Sequence, residues 1–247
     1  MRFLVNAITP IKLDCATCPA RPIAACGSCT DVGSEILHEI SHRKHHRAHS
    51  TIIFAGDNPS HLMTIIHGVV ATMALLNDGR TQILSLHFKG DIIGRTVSSP
   101  YQHELVAMTD VELCHKPRED FTRVVSEDPG FREAFIEFSQ LTLDQSRTWM
   151  VALGKKTARE RVATFLSFLV SRGVAGRVVP GKNLHLCLPL TRIEIGDFLG
   201  MSVETVSRQF SALRKASLID GKGRDIIILD LPGLIYEACE DDAGVLA

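Results

Sequence analysis

Apolar positions change period twice along this chain, and the changes divide it into regions of different structure. Before residue 50 no sustained period is present. Residues 1–30 are rich in Cys, Pro and Ala, and the polar stretch 34–48, with His38, His42, His45 and His46, predicts a short helix. From residue 50 to 117, short apolar segments alternate with turn signals. Residues 51–54, 62–67, 69–76, 81–88, 104–108 and 111–115 are predicted strands, parted by Gly56-Asp57, Asn77-Asp78-Gly79 and Gly90-Asp91. Short strands at this spacing predict a sandwich or barrel. After Asp128-Pro129-Gly130 the period becomes helical, and residues 131–153 predict one helix of about six turns. Ile136, Leu143 and Met150 recur every seven residues, beside a second stripe of Phe135, Phe138, Thr142, Gln145 and Trp149. Two apolar stripes on one long helix predict one packing partner in its own domain and another in a second subunit.

Beyond a hinge predicted at Gly154-Lys155-Lys156, residues 157–172 read as a helix with Val162, Phe165, Leu166 and Leu169 apolar. A loop is predicted over 173–182, then a compact second domain ending in an acidic tail (Glu237, Glu240, Asp241, Asp242). Residues 190–215 are the most informative. Thr191 is suited to cap a short helix whose apolar face includes Ile195 and Leu199, with Ile193 near its start. Gly200 supplies the positive φ that ends it, and Ser202 caps a second helix expected to bury Val203, Val206, Phe210 and Leu213. This is helix–turn–helix spacing. On the opposite face of the second helix stand Glu204, Ser207, Arg208 and Ser211, at the end that enters a major groove. An Arg grips guanine O6 and N7 bidentately, a Glu accepts from a cytosine amine, and a Ser serves base or phosphate. Residues 218–229 read as a hairpin wing.

The formal net charge of −1 over 247 residues excludes a global basic field, so a DNA-binding face must be local. Between Val203 and Arg224, five basic residues (Arg208, Arg214, Lys215, Lys222, Arg224) stand against two acidic ones (Glu204, Asp220), which supplies that local patch. No apolar run approaches the ~20 residues that cross a bilayer, and residues 1–10 lack the apolar core of a signal peptide. A cytoplasmic protein with no membrane partner is expected.

Seven cysteines, an odd number, point to metal or redox chemistry rather than a disulfide framework. Cys15, Cys18, Cys26 and Cys29 crowd into fifteen residues, while Cys114, Cys187 and Cys239 are scattered. By spacing, Cys15-x2-Cys18 with Cys26-x2-Cys29 can close a tetrahedral zinc site. Cys187 and Cys239 are expected to be buried as small hydrophobes, and the histidines to form a solvated face. No thioredoxin-like pattern surrounds Cys15-x2-Cys18 and no nucleophile–base pair is legible, so an enzyme is not expected.

With these features in hand, nearly the whole chain resembles the CRP/FNR superfamily, and in its cysteines the oxygen-sensing iron–sulfur branch. The resemblance implies an α+β fold with a cysteine-rich cluster-binding segment (1–33), an N-terminal β-roll like cyclic-nucleotide-binding domains (34–130), a long dimerisation helix (131–155) and a C-terminal winged helix–turn–helix (156–247). Glu204-x-x-Ser207-Arg208 resembles the FNR reading motif. It implies a TTGAT-NNNN-ATCAA-like palindrome on double-stranded DNA, read by a homodimer, with Arg208 on the half-site guanine and Glu204 and Ser207 on neighbouring bases. Pairing through Ile136, Leu143 and Met150 is implied, as is activation through RNA polymerase, for which the turn Asn77-Asp78-Gly79-Arg80 is a candidate contact. The branch implies a 4Fe–4S cluster held by three N-terminal cysteines and one from the roll. Cys114 sits at the roll position and Cys15-x2-Cys18-x7-Cys26 resembles one branch, which implies Cys15, Cys18, Cys26 and Cys114, with Cys29 as the alternate ligand. Oxygen would remove the cluster and weaken the dimer. The cyclic-nucleotide branch resembles an Arg-Ser pair shortly after a Gly-Glu-Leu segment. Here residues 98–103 hold no Arg and Arg95 comes too early, so no cyclic nucleotide is expected. The second reading is the same fold with a zinc site or none, tuned by another signal.

Overall fold

The computed structural model describes residues 11–12, 15–174 and 183–239. Most of the loop predicted over 173–182, and Glu240, Asp241 and Asp242, lie outside the described residues. The chain forms two compact units: the first takes residues up to Leu75 together with Leu84–Leu143, the second Leu76–Ile83 and the chain from Asp144 onward.

The first unit is a two-sheet roll. Its strands are β1 (Ile11–Lys12), β2 (His42–His46), β3 (Thr51–Ile53), β4 (His61–His67), β5 (Val70–Leu75), β6 (Thr81–His87), β7 (Ile92–Gly94), β8 (Glu104–Ala107) and β9 (Val111–Pro117). One sheet has the order β1-β2-β9-β4-β7 and the other β3-β8-β5-β6. Met63, Ile65, Val70, Ile93, Leu105 and Leu113, drawn from both sheets, form the roll's core. Strand alternation sends the other side chains of β4 and β9 outward. Thr64, Cys114 and Lys116 therefore share the outer face, Thr64 directly opposite Cys114.

The helix expected over 34–48 is corrected. A helix α1 (Asp31–Ile40), capped by Thr30, ends before β2, which pairs antiparallel with β9. His42 and His46 thus follow a period of two, not a helical one, and join His61 and His115, with the rings of His42, His46 and His61 centred 5.5, 5.9 and 5.9 Å from that of His115. Burial, reinforced by Lys44, pushes His115 down to about 2; burial likewise lowers His42, His46 and His61, so these are neutral imidazoles. The expected solvated face applies to His45 but not to them. Helix α2 (Arg118–Glu127) and strand β7 have no counterpart in the sequence prediction.

Helix α3 (Pro129–Lys155) spans 27 residues. Phe131 and Phe135 pack edge-on against Phe121 of α2, with centroids 5.2 and 5.4 Å apart. The helix runs through Gly154 and ends at Lys155, so the chain breaks at Lys156, the last residue of the expected hinge.

In the second unit, Thr157 and Glu160 form a capping box that starts α4 (Ala158–Ser171). Strand β10 (Leu184–Cys187), helices α5 (Arg192–Leu199) and α6 (Val203–Lys215), strands β11 (Ile219–Lys222) and β12 (Asp225–Ile228), and α7 (Leu231–Glu237) follow. The sheet order β10-β12-β11 makes a wing. Trp149 packs on Phe198 and Phe168, with centroids at 4.5 and 5.3 Å. Cys187 and Cys239 are exposed rather than buried, which corrects the expectation for both.

Candidate DNA-reading face and cysteine pocket

Local chemistry builds the reading face. The Thr191 backbone N–H donates to Glu194 Oε2 at 2.6 Å and the Glu194 N–H returns to Thr191 Oγ1 at 3.3 Å, a capping box. Gly200, at φ +63, turns the chain out of α5, and Ser202 accepts from Thr205 N to start α6. Val206, Phe210 and Leu213 are buried beneath α6, while Val203 is half-buried and Ile193 is exposed. Arg192 crosses the Phe210 ring at 3.4 Å, a cation–π contact that fastens α5 to α6. Glu204, Ser207 and Arg208 are exposed and Ser211 is half-exposed. Two of the five basic residues in this stretch also serve the fold. Arg214 donates to Gly221 O of the wing, and Arg224 to the carbonyls of Leu188 and Pro189. Arg208, Lys215 and Lys222 project outward.

The cysteines meet the outer face of β4 and β9. Three short 3-10 turns, Cys15–Thr17, Arg21–Ile23 and Ala25–Ser28, fold the N-terminal segment so that Cys18 and Ala20 pack on Ile66 and Cys114, with Cys15 alongside. Cys15, Cys18, Cys26 and Cys114 line one pocket, together with Thr64, Arg21 and Lys116. Cys29 is not part of that lining. Like Cys26, it packs against the cluster that contains Leu37, Phe121 and Phe131. The pocket holds about 380 Å³ of space between atoms, part of it open to solvent, but only about 20 Å³ admits a water-sized sphere.

Burial, then Cys114, pushes the Cys15 thiol up to about 11, and burial, then Asp128, pushes Cys29 up to about 12. Cys26 is raised by burial too, with Lys116 pulling the other way. These thiols hold their protons at neutral pH, so a metal must displace them on binding. Lys116 is 3% exposed. Its Nζ donates to Cys114 Sγ at 3.1 Å and to Thr64 Oγ1 at 3.0 Å. Burial works against its charge, but Cys114 and Cys26 outweigh burial and raise it.

The same segment is tied to the start of α3. Asp128, 4% exposed, accepts from Thr30 N (2.8 Å) and Thr30 Oγ1 (2.6 Å) through Oδ2, and from Phe131 N (2.9 Å) through Oδ1. Sequence reading singled out neither Asp128 nor Lys116. The signals were a Lys two residues beyond a strand cysteine and an Asp before the helix-opening Pro129.

On α3 itself, Ile136 and Leu143 are each 51% exposed and Met150 is 72% exposed. Arg95, in the roll, donates to Ser99 Oγ at 2.9 Å and Pro100 O at 3.0 Å. It borders a cavity of about 460 Å³ that Tyr101, Phe135 and Phe138 also line.

A roll joined to a long helix and a winged helix–turn–helix with an exposed polar reading face defines a DNA-binding transcription regulator, not an enzyme. The model of the Crp-like helix-turn-helix domain matches residues 160–236 and that of the cyclic nucleotide-binding domain residues 43–128. The chain is 32% identical over 244 residues, 98% of each chain, to the transcriptional activator protein FnrL of Cereibacter sphaeroides. It is 29% identical over 202 residues to the anaerobic regulatory protein of Haemophilus influenzae, covering 81% of this chain and 77% of that one. The structure of FixK2 from Bradyrhizobium japonicum superposes with a TM-score of 0.71 at 29% identity, covering 80% of this chain and 96% of that one. The chain belongs to the CRP/FNR family of transcription regulators.

Proposed function

We propose that this regulator is a cytoplasmic, oxygen-responsive activator that binds double-stranded DNA as a homodimer and is gated by a 4Fe–4S cluster on Cys15, Cys18, Cys26 and Cys114. One observation carries the reading: four thiols from segments far apart in sequence line a single buried pocket, with Lys116 and Arg21 beside them. The donor chemistry fits an iron–sulfur core, which takes four thiolates. Among the described residues, no three Cys, His, Asp or Glu side chains converge closely enough for one metal ion. The spacing-based zinc reading needs Cys29, which lies outside the pocket lining. When bound, the cluster supplies a group whose loss in oxygen frees the four thiols from one another.

The chain's own residues do the rest. The pinned segment holds Thr30 against Asp128 and so orients the first turn of α3. The exposed Ile136, Leu143 and Met150 then cover one another across two subunits, which spaces two copies of α6 one DNA turn apart. The target is a TTGAT-NNNN-ATCAA-like palindrome, with Arg208 on the guanine and Glu204 and Ser207 on its neighbours. RNA polymerase is the activation partner, and the exposed turn Asn77-Asp78-Gly79-Arg80 is its candidate contact. Cyclic nucleotide is not proposed as the signal, because residues 98–103 hold no Arg and Arg95 comes too early.

Anaerobically prepared protein should carry iron and sulfide and bind the palindrome specifically, and air should weaken that binding about 5- to 150-fold. Equal binding with and without air overturns the oxygen gate. Arg208→Ala should weaken binding to the intact palindrome by about 1–3 kcal/mol and flatten discrimination at the half-site guanine. A uniform loss across all sequences, guanine position included, would reassign Arg208 to phosphate.

A further inference from the structure

We propose that Lys116 is a positioning residue of the cysteine site, holding Cys114 Sγ towards the pocket and supplying the positive charge that keeps a multi-thiolate group bound there. The inference deepens the reading of that pocket as a metal-cluster site and rests on it.

Strand register creates the arrangement. Cys114 and Lys116 are two residues apart on β9 and so emerge on the same face, while Thr64 stands across from Cys114 on β4. The ammonium is enclosed between them, 3.1 Å from Cys114 Sγ and 3.0 Å from Thr64 Oγ1. A lysine is almost never fully buried unless it is paired. Here the groups around it are thiols: it donates to Cys114 Sγ, and Cys26 and Cys15 line the same pocket. Four thiolate ligands would bring negative charge into the same space, and an ammonium already bonded to one of them would offset part of it. Lys116 is therefore placed to favour the loaded site. Partners just outside a metal's ligands typically change affinity about 10- to 100-fold.

That placement gives the test. Wild type, Lys116→Met and Lys116→Arg of the full chain are each prepared metal-free and after anaerobic reconstitution with ferrous iron and sulfide. The melting curve of metal-free Lys116→Met measures what the two lost hydrogen bonds cost the fold, and so separates lost folding from lost metal retention. Loaded Lys116→Met should lose iron to a chelator, under nitrogen, about 10-fold faster than wild type. Its charge-transfer absorption should also shift, as the hydrogen bond to Cys114 is gone. Lys116→Arg, which keeps the charge, should recover most of the retention. A merely structural lysine would behave otherwise: Lys116→Met would lower the melting temperature of both forms and leave chelator-driven iron loss unchanged, and that result overturns the proposal. If loaded Lys116→Met and wild type lose iron at the same rate, only the role of Lys116 falls. If wild type takes up no iron and sulfide, the cluster reading falls and this one with it.

Discussion

Cys26→Ala should reduce the iron and sulfide content of anaerobically reconstituted protein to background, while Cys29→Ala should leave it close to wild type. The two residues lie in the same short turn region, yet their surroundings differ. Both pack on the apolar cluster that contains Leu37, Phe121 and Phe131, but of the two only Cys26 also lines the pocket with Cys15, Cys18 and Cys114. Removing one ligand of four exceeds the ~10–100-fold loss typical of outer partners, so retention should fail outright. Removing Cys29 takes one sulfur out of an apolar cluster and should cost about 1 kcal/mol of stability through the gap left behind. Iron and sulfide quantification beside a melting curve separates the two effects. Loss of metal in Cys29→Ala with retention in Cys26→Ala would exchange their roles. Loss in both, with Cys114→Ala retaining metal, would restore the four-cysteine N-terminal site that spacing alone allows.

The second large effect is expected at Asp128. Its carboxylate accepts three hydrogen bonds while 4% exposed, two of them from Thr30 in the cysteine-bearing segment and one from Phe131 in the first turn of α3. Bonds to charged groups contribute more than neutral ones, and their loss here leaves the buried Phe131 N–H without its carboxylate and releases the exposed Thr30. Asp128→Ala should cost about 3–5 kcal/mol. At about 2–4 °C per kcal/mol for a chain of this size, that lowers the melting temperature by roughly 6–20 °C. Asp128→Asn keeps the shape and one acceptor oxygen, so it should fall between the two. If Asp128 couples the segment to the helix as proposed, the difference in DNA affinity between anaerobic and aerated protein should also shrink in Asp128→Asn, with iron content preserved. An unchanged melting temperature in Asp128→Ala would remove the clamp from the account.

Much of the reading face was legible because its determinants are local. Thr191 and Glu194 meet within one turn, Gly200 needs only its own φ, and Val206, Phe210 and Leu213 fall on one side of a helix by spacing alone. Most strands rich in Val, Ile and Leu showed themselves as short apolar segments between turn signals, although β7 did not. β2 did not, because its sequence, His-Arg-Lys-His-His, contains no aliphatic residue. It is a strand because β9 offers it a ladder, and that partner lies far along the chain. The same pairing overturned the histidine assignment: one step from a period of 3.6 to a period of 2 moved His42 and His46 from an imagined solvated face to a cluster around the buried His115. Cys187 and Cys239 were misplaced for a related reason. Burial of a small side chain depends on what packs over it, which its neighbours in sequence do not encode.

The sequence by itself determined the helix–turn–helix, its exposed Glu204, Ser207 and Arg208, the two-striped helix and the crowd of cysteines, since each follows from caps, spacing and composition within a few turns of chain. Only the tertiary structure decided which thiols face one another, that Lys116 is enclosed among them, and that Asp128 joins Thr30 to α3. Those contacts depend on how two sheet faces and a folded N-terminal segment close on each other. The closeness shows at Gly33, where a Cβ would fall on Asp128 Oδ2, so the residue required at one position is set by a carboxylate distant in the chain.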